Sequence, residues 1–130
     1  MFSADFFICI FVLHIVYGTN KTDWNQVRFY DKVFIDKNSR LYNIIGEDEI
    51  LVNSFHKRCI SENNIYKVTA KSEDGIIEAI EYPGDYFNIG VQWHPEISYE
   101  FDENSKKIID AFIDASRDRL NERDIKTKVV

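Results

Sequence analysis

Cysteine is scarce in this chain of 130 residues, which contains only Cys9 and Cys59. Two cysteines are too few for a disulfide scaffold, and there is no Cys-x-x-Cys pair to hold zinc. The three histidines are scattered without the spacing of metal ligands, so we expect no metal and no organic cofactor. The expected compartment is a reducing cytoplasm.

Positive charge is also scarce, since 16 Lys and Arg residues stand against 22 Asp and Glu residues and the formal net charge is −6. The basic residues form no cluster that offsets this charge locally. A phosphate backbone would be repelled, so nucleic acid is excluded as a partner.

No apolar run is long enough to span a bilayer. The longest run covers 6–17 (FFICIFVLHIVY), whereas a membrane-spanning helix needs about 20 residues. A signal peptide is the alternative, but residues 1–5 carry an acid in place of Lys or Arg and no small-residue cleavage site follows. We therefore interpret the run as a buried central strand that leads into a helix, with no stable membrane span.

One domain, or part of one, is expected, because no repeat or Gly/Ser linker divides the sequence. Residues 1–31 comprise the apolar segment and a polar loop over 19–31. Residues 32–121 hold the predicted strands and helices, and 122–130 form a frayed tail.

Periodicity and turn residues predict an α/β sheet whose functional site lies at the carboxyl edge of the strands. The expected elements are strands over 32–36, 49–55 and 87–93, a helical turn over 39–45 ended by Gly46, a hairpin pairing 66–71 with 76–82, and a long helix over 104–121. In the second hairpin strand apolar and acidic residues alternate, which predicts one dry face and one wet face.

His94 and Glu96 are the candidate catalytic residues. A histidine just past a buried strand, with a carboxylate two positions later and Pro95 fixing the backbone between them, has the parts of an oriented base. The same triplet also fits a partly buried polar histidine beside a solvated glutamate, and spacing alone does not separate the two interpretations.

Three segments resemble the class I glutamine amidotransferase family. Residues 90–96 (GVQWHPE) are similar to the signature in which His and Glu complete a Cys-His-Glu triad. Residues 51–56 (LVNSFH) resemble the segment that lines the same site, and 73–81 (EDGIIEAIE) resemble the penultimate hairpin. The resemblance runs from residue 33 to residue 115, and the pattern is most similar to gamma-glutamyl-gamma-aminobutyrate hydrolases.

This resemblance implies a flavodoxin-like, three-layer α/β domain that hydrolyses a γ-glutamyl amide, with glutamine or a γ-glutamyl small molecule as the ligand. In such a domain a thiolate attacks the amide carbon, backbone N–H groups hold the oxyanion, and water releases the thioester. His94 would serve as base and then acid, and Glu96 would orient it.

The nucleophile is where the chain departs from this pattern. The family places its cysteine in a tight elbow with glycines close by, whereas Cys9 lies between Ile8 and Ile10, which do not readily adopt positive φ. We therefore expect Cys9 to be a core residue, Cys59 to be structural, and the chain to lack a working nucleophile.

The family's first strands and helices have no counterpart in this chain, so we expect a protein truncated on its N-terminal side. A second copy or a partner chain would then cover the exposed sheet. Three functions remain open: a catalytically impaired amidotransferase-like protein, an active γ-glutamyl hydrolase that uses Cys9, His94 and Glu96, or a non-catalytic binding or scaffold protein.

Overall fold

The computed structural model describes residues 9–12, 28–54 and 60–128. Six strands lie in these ranges: β1 (Cys9–Val12), β2 (Arg28–Ile35), β3 (Glu49–Ser54), β4 (Lys67–Ser72), β5 (Ile77–Glu81) and β6 (Asn88–Val91). The helices of the same ranges are α1 (Arg40–Ile45), α2 (Pro95–Ser98) and α3 (Glu103–Lys128). Helix and strand are mixed along the chain, as the α/β prediction requires.

The six strands form one sheet in the order β1-β6-β5-β4-β2-β3. β1 pairs with β6 in parallel, and every other neighbouring pair is antiparallel. Direction reverses at each antiparallel pair, so β1, β6 and β3 all run the same way. Their carboxyl ends therefore lie at one edge of the sheet, which is the edge where the sequence predicts the site.

Helices α1 and α3 share a core with the sheet. The buried apolar residues of this core come from β2 to β6, from α1 and α3, and from the residues just after β6: Val33, Ile35, Leu41, Ile45, Ile50, Val52, Ala70, Ala79, Ile89, Val91, Trp93 and Ile108. Trp93 is fully buried although it lies outside a strand. Its neighbour in the chain, His94, is thereby anchored to the core.

The predicted helical turn over 39–45 is confirmed as α1, and both of its ends are capped. The Ser39 hydroxyl accepts a hydrogen bond from the Tyr42 backbone N–H at 3.0 Å. At the other end Gly46 adopts φ of 80° and donates its N–H to the Tyr42 carbonyl at 2.7 Å. The caps hold α1 at a fixed length between β2 and β3.

The hairpin of β4 and β5 is confirmed, but the prediction of a wet face on β5 is wrong. Every residue of Ile77–Glu81 is buried, including Glu78 and Glu81. β5 lies inside the sheet, and the Glu81 carboxylate is used internally, because it accepts the backbone N–H groups of Arg40 at 3.0 Å and Leu41 at 3.1 Å. Alternation along a strand reports two faces, but it does not report what covers each face.

Several boundaries differ from the sequence prediction. The loop expected over 19–31 is wrong from residue 28, because β2 begins at Arg28 and pairs with β3 around a bulge between Arg28 and Asp31. The tail expected to fray from residue 122 continues α3 as helix to Lys128. The apolar run is confirmed as strand over β1, but the prediction of a central strand is wrong, because β1 is the terminal strand of the described sheet. The remainder of the run lies outside the described residues. In the part of the chain that the structure describes, no helix is long and apolar enough to cross a membrane.

Candidate active site

His94 and Glu96 lie together at the carboxyl edge, as the sequence predicts. His94 follows β6 after two residues, and α2 begins at Pro95, where the missing N–H of proline leaves no helical hydrogen bond unmade. The helical turn brings Glu96 back toward His94, and the imidazole Nδ1 lies 2.5 Å from the Glu96 Oε1. The His94 side chain is 13% exposed and that of Glu96 is 52% exposed, so the pair is open to solvent on the glutamate side.

This arrangement has a definite chemical meaning. A carboxylate against Nδ1 favours the imidazole tautomer that carries its proton on that nitrogen, which makes Nε2 the proton-accepting atom. The same carboxylate stabilises the imidazolium that forms when Nε2 takes a proton. The geometry therefore provides an oriented general base, while its use in catalysis stays a prediction.

Asn53, on the terminal strand β3, hydrogen-bonds to the backbone of His94. The His94 N–H donates to the Asn53 Oδ1 at 2.8 Å, and the Asn53 Nδ2 donates to the His94 carbonyl at 2.9 Å. The same Nδ2 donates to the Ser98 hydroxyl at the end of α2, at 2.8 Å. Asn53 and Ser98 are both buried.

Sequence reasoning placed Asn53 near the site only through its resemblance to a site-lining segment, and it did not identify Ser98. The two partners of Asn53 lie 41 and 45 residues away along the chain. No periodicity or local motif connects positions at that separation.

These contacts require the sheet to curl. β3 and β6 are separated by β5, β4 and β2 in the sheet order, so a flat sheet would hold them about 19 Å apart. The direct hydrogen bonds between Asn53 and His94 bring the segment that follows β6 to the carboxyl end of β3. The site is thus assembled where the two ends of the curl meet.

Cys9 lies at the opposite end of its strand from this site. In the parallel pairing of β1 with β6, Cys9 is matched to Asn88 and Val12 to Val91. Cys9 therefore stands beside the amino end of β6, about 10 Å along the strand from Val12. His56 and Cys59, two further residues considered from the sequence, lie outside the described residues.

Gln92, two residues before His94, is buried with 1% exposure. Its side-chain Oε1 and Nε2 have no hydrogen-bond partner among the residues that the structure describes. Its backbone is well held, because the Gln92 N–H donates to the Glu78 carbonyl at 2.8 Å. The described ranges also contain no group of three His, Cys, Asp or Glu side chains that could hold a metal ion.

The comparisons with known proteins agree with the geometry. The Peptidase C26 family profile matches residues 13–96. The Schizosaccharomyces pombe protein named "Putative glutamine amidotransferase PB2B2.05" is 36% identical over 94 residues, which cover 72% of this chain and 37% of that protein. The gamma-glutamyl-gamma-aminobutyrate hydrolase PuuD of Escherichia coli is 35% identical over 57 residues, covering 44% of this chain and 22% of that protein. The matched residues therefore cover 37% of the length of the first of these curated relatives and 22% of the second.

A solved structure shares the fold. The Thermoplasma acidophilum protein named a "putative gmp synthase subunit a protein" superposes with a TM-score of 0.58 at 19% identity, covering 76% of this chain and 47% of that one. At this identity the likeness shows the fold alone. The flavodoxin-like α/β class predicted from the sequence is confirmed.

Proposed function

This chain belongs to the Peptidase C26 family of class I glutamine amidotransferase-like proteins, and on that premise we propose that it binds γ-glutamyl amides at a site built around His94 and Glu96. The observation that carries the proposal is the 2.5 Å contact between the His94 Nδ1 and the Glu96 Oε1 at the carboxyl edge of the sheet. One relative is named for γ-glutamyl amide hydrolysis, which supports this ligand class.

The reaction that this pair would serve has two stages. In the first, His94 takes the proton of a thiol at Nε2, and the thiolate attacks the γ-amide carbon. His94 then gives that proton to the leaving nitrogen, and a thioester forms as the amine departs. In the second, His94 takes a proton from water, and the resulting hydroxide attacks the thioester carbon. The thiolate then departs and takes the proton back from His94, which restores the thiol and releases the γ-carboxyl product. Glu96 stabilises the imidazolium at each proton transfer.

We further propose that the chain on its own is catalytically impaired, because Cys9 does not supply that thiol. Its pairing with Asn88 puts it at the amino end of β1, whereas His94 follows the carboxyl end of β6. A nucleophile and its base must lie within hydrogen-bond reach, about 3 Å. The proposed function is therefore ligand binding at a site that retains the base and its orienting carboxylate.

A second candidate is an active γ-glutamyl hydrolase. The intact hydrogen bond between His94 and Glu96 favours it, since that bond orients a base for proton transfer. Here the thiol would come from Cys9 after a rearrangement of β1, or from another chain.

One experiment separates the two candidates. Purified protein is assayed for hydrolysis of γ-glutamyl-p-nitroanilide and of glutamine, and binding of glutamine is measured by calorimetry, with the variants His94→Ala, Cys9→Ala and Cys59→Ala in parallel. Binding without turnover, weakened by His94→Ala and unchanged by both cysteine variants, is the expected result. Turnover that disappears with His94→Ala and with Cys9→Ala would establish the hydrolase. A folded protein with neither binding nor turnover would refute both.

A further inference from the structure

Asn53 uses its whole side-chain amide on the segment that carries His94. The oxygen accepts the His94 N–H, and the nitrogen donates to the His94 carbonyl and to the Ser98 hydroxyl, at distances between 2.8 and 2.9 Å. Asn53 is 8% exposed, so these bonds are shielded from competing water. A single side chain thereby forms hydrogen bonds to both backbone groups of His94 and to the last residue of α2.

The helix that follows His94 gives it little support of its own. His94 is the N-cap of α2 with φ of −111° and ψ of 86°, and its side chain makes no capping hydrogen bond. α2 is a single turn, and Glu96 is half exposed, so the carboxylate is not anchored by burial. Asn53 thus fixes the backbone from which the imidazole projects.

We propose that Asn53 is a positioning residue for His94: its amide locks the turn over 94–98 and thereby keeps the imidazole Nδ1 against the Glu96 carboxylate. The inference deepens the proposed function and rests on it for the role of His94. Ser98 acts as the secondary anchor, because it receives only one of the three hydrogen bonds.

The chemistry of the amide explains why asparagine stands here. The His94 N–H needs an acceptor and the His94 carbonyl needs a donor, and an amide offers both on one planar group. An aspartate has the same shape but, when ionised, only accepts. It would set a negative oxygen against the His94 carbonyl and lose the grip on that atom.

The test uses a signal from the His94–Glu96 hydrogen bond itself. Protonated His94 should show a far-downfield Nδ1–H resonance in the NMR spectrum of the full chain, assigned by its loss in His94→Ala and in Glu96→Gln. Asn53→Ala and Asn53→Asp should abolish this resonance in folded protein. Ser98→Ala should retain it, and so should Asn43→Asp, which makes the same charge change at an exposed position of α1.

A role in stability alone would lower the melting temperature of the Asn53 variants and leave the resonance of the folded fraction in place, which would overturn the inference. If neither variant folds, hydrogen exchange of the wild type decides. The backbone N–H of His94 should then exchange as slowly as the N–H groups that pair β2 with β3. Fast exchange of the His94 N–H would refute its hydrogen bond to Asn53.

Glutamine calorimetry on the same variants keeps this inference separate from the proposed function. Asn53→Asp should weaken binding about tenfold, the cost of roughly one lost hydrogen bond. If the wild type shows the resonance but binds no glutamine, the proposed function is refuted. The role of Asn53 in positioning His94 is then still supported by the loss of the resonance in the Asn53 variants. A wild type that binds glutamine and keeps the resonance in Asn53→Ala refutes Asn53 alone.

Discussion

Replacing Glu81 with glutamine should destabilise the protein strongly for so small a change. Glu81 is 7% exposed, and its carboxylate accepts hydrogen bonds from the backbone N–H groups of Arg40 and Leu41 at the start of α1. The glutamine amide would keep one oxygen for one of these donors and turn an NH₂ group toward the other. A buried N–H left without an acceptor costs about 1–3 kcal/mol, so we expect Glu81→Gln to lower the free energy of unfolding by about 2 kcal/mol.

This loss can be read from thermal unfolding followed by circular dichroism. A chain of 130 residues has an unfolding entropy of about 0.27 kcal/mol/K, so the melting temperature should fall by about 7 °C. Glu73→Gln is the matched control, because Glu73 is 64% exposed and its pairing with Lys32 spans 3.7 Å. The control should cost less than about 0.5 kcal/mol. Equal shifts for the two variants would refute the internal role of Glu81.

Three further predictions concern single residues. Gln92→Met should stabilise the protein by about 1–3 kcal/mol, because it removes a buried amide that has no partner in the described ranges; urea unfolding measures this, and a loss of stability would contradict it. Gly46→Ala should lower the free energy of unfolding by about 1 kcal/mol in the same assay, because φ at Gly46 is 80° and a side chain at positive φ is strained. A Cβ there would meet nothing within 4 Å, so no clash adds to this strain. Gly46→Asn should lower the stability less, because asparagine tolerates this conformation better. The Asn38 N–H and then Lys67 hold the pKa of Asp36 below its ordinary value, so this carboxylate stabilises the fold above its unfolded pKa and the contribution is lost as pH falls through the folded pKa. Lys67→Met should raise that pKa in a carboxyl NMR titration, and an unchanged pKa would contradict the pairing.

Local elements were predictable because their signals are local. Ser39 and Gly46 mark the two ends of α1 in the sequence, and the Asp-Gly pair before Ile76 marks the hairpin. The segment that delivers His94 and Glu96 to the carboxyl edge was also readable, since a short apolar run precedes it. In each case a few neighbouring residues determine the backbone.

The features that the sequence did not predict depend on contacts between residues that are far apart along the chain. Glu81 looks like a surface residue until α1 is placed over β5 and its backbone donors need an acceptor. Residues 28–31 look like loop because their order is irregular, yet the bulged ladder with β3 makes them strand. Asn53 forms hydrogen bonds to the distant segment 94–98, and the sequence does not show that the curl of the sheet brings this segment next to Asn53.

The curl of the sheet has a consequence for how the site can be switched or lost. Asn53 belongs to the edge strand β3, and His94 follows a strand four places away in the sheet. Any event that flattens the sheet or peels away its edge would withdraw the amide from His94 without touching the imidazole or Glu96. The order of His94 therefore depends on the edge strand, and a ligand or partner that binds to β3 would change the position of His94 from a distance.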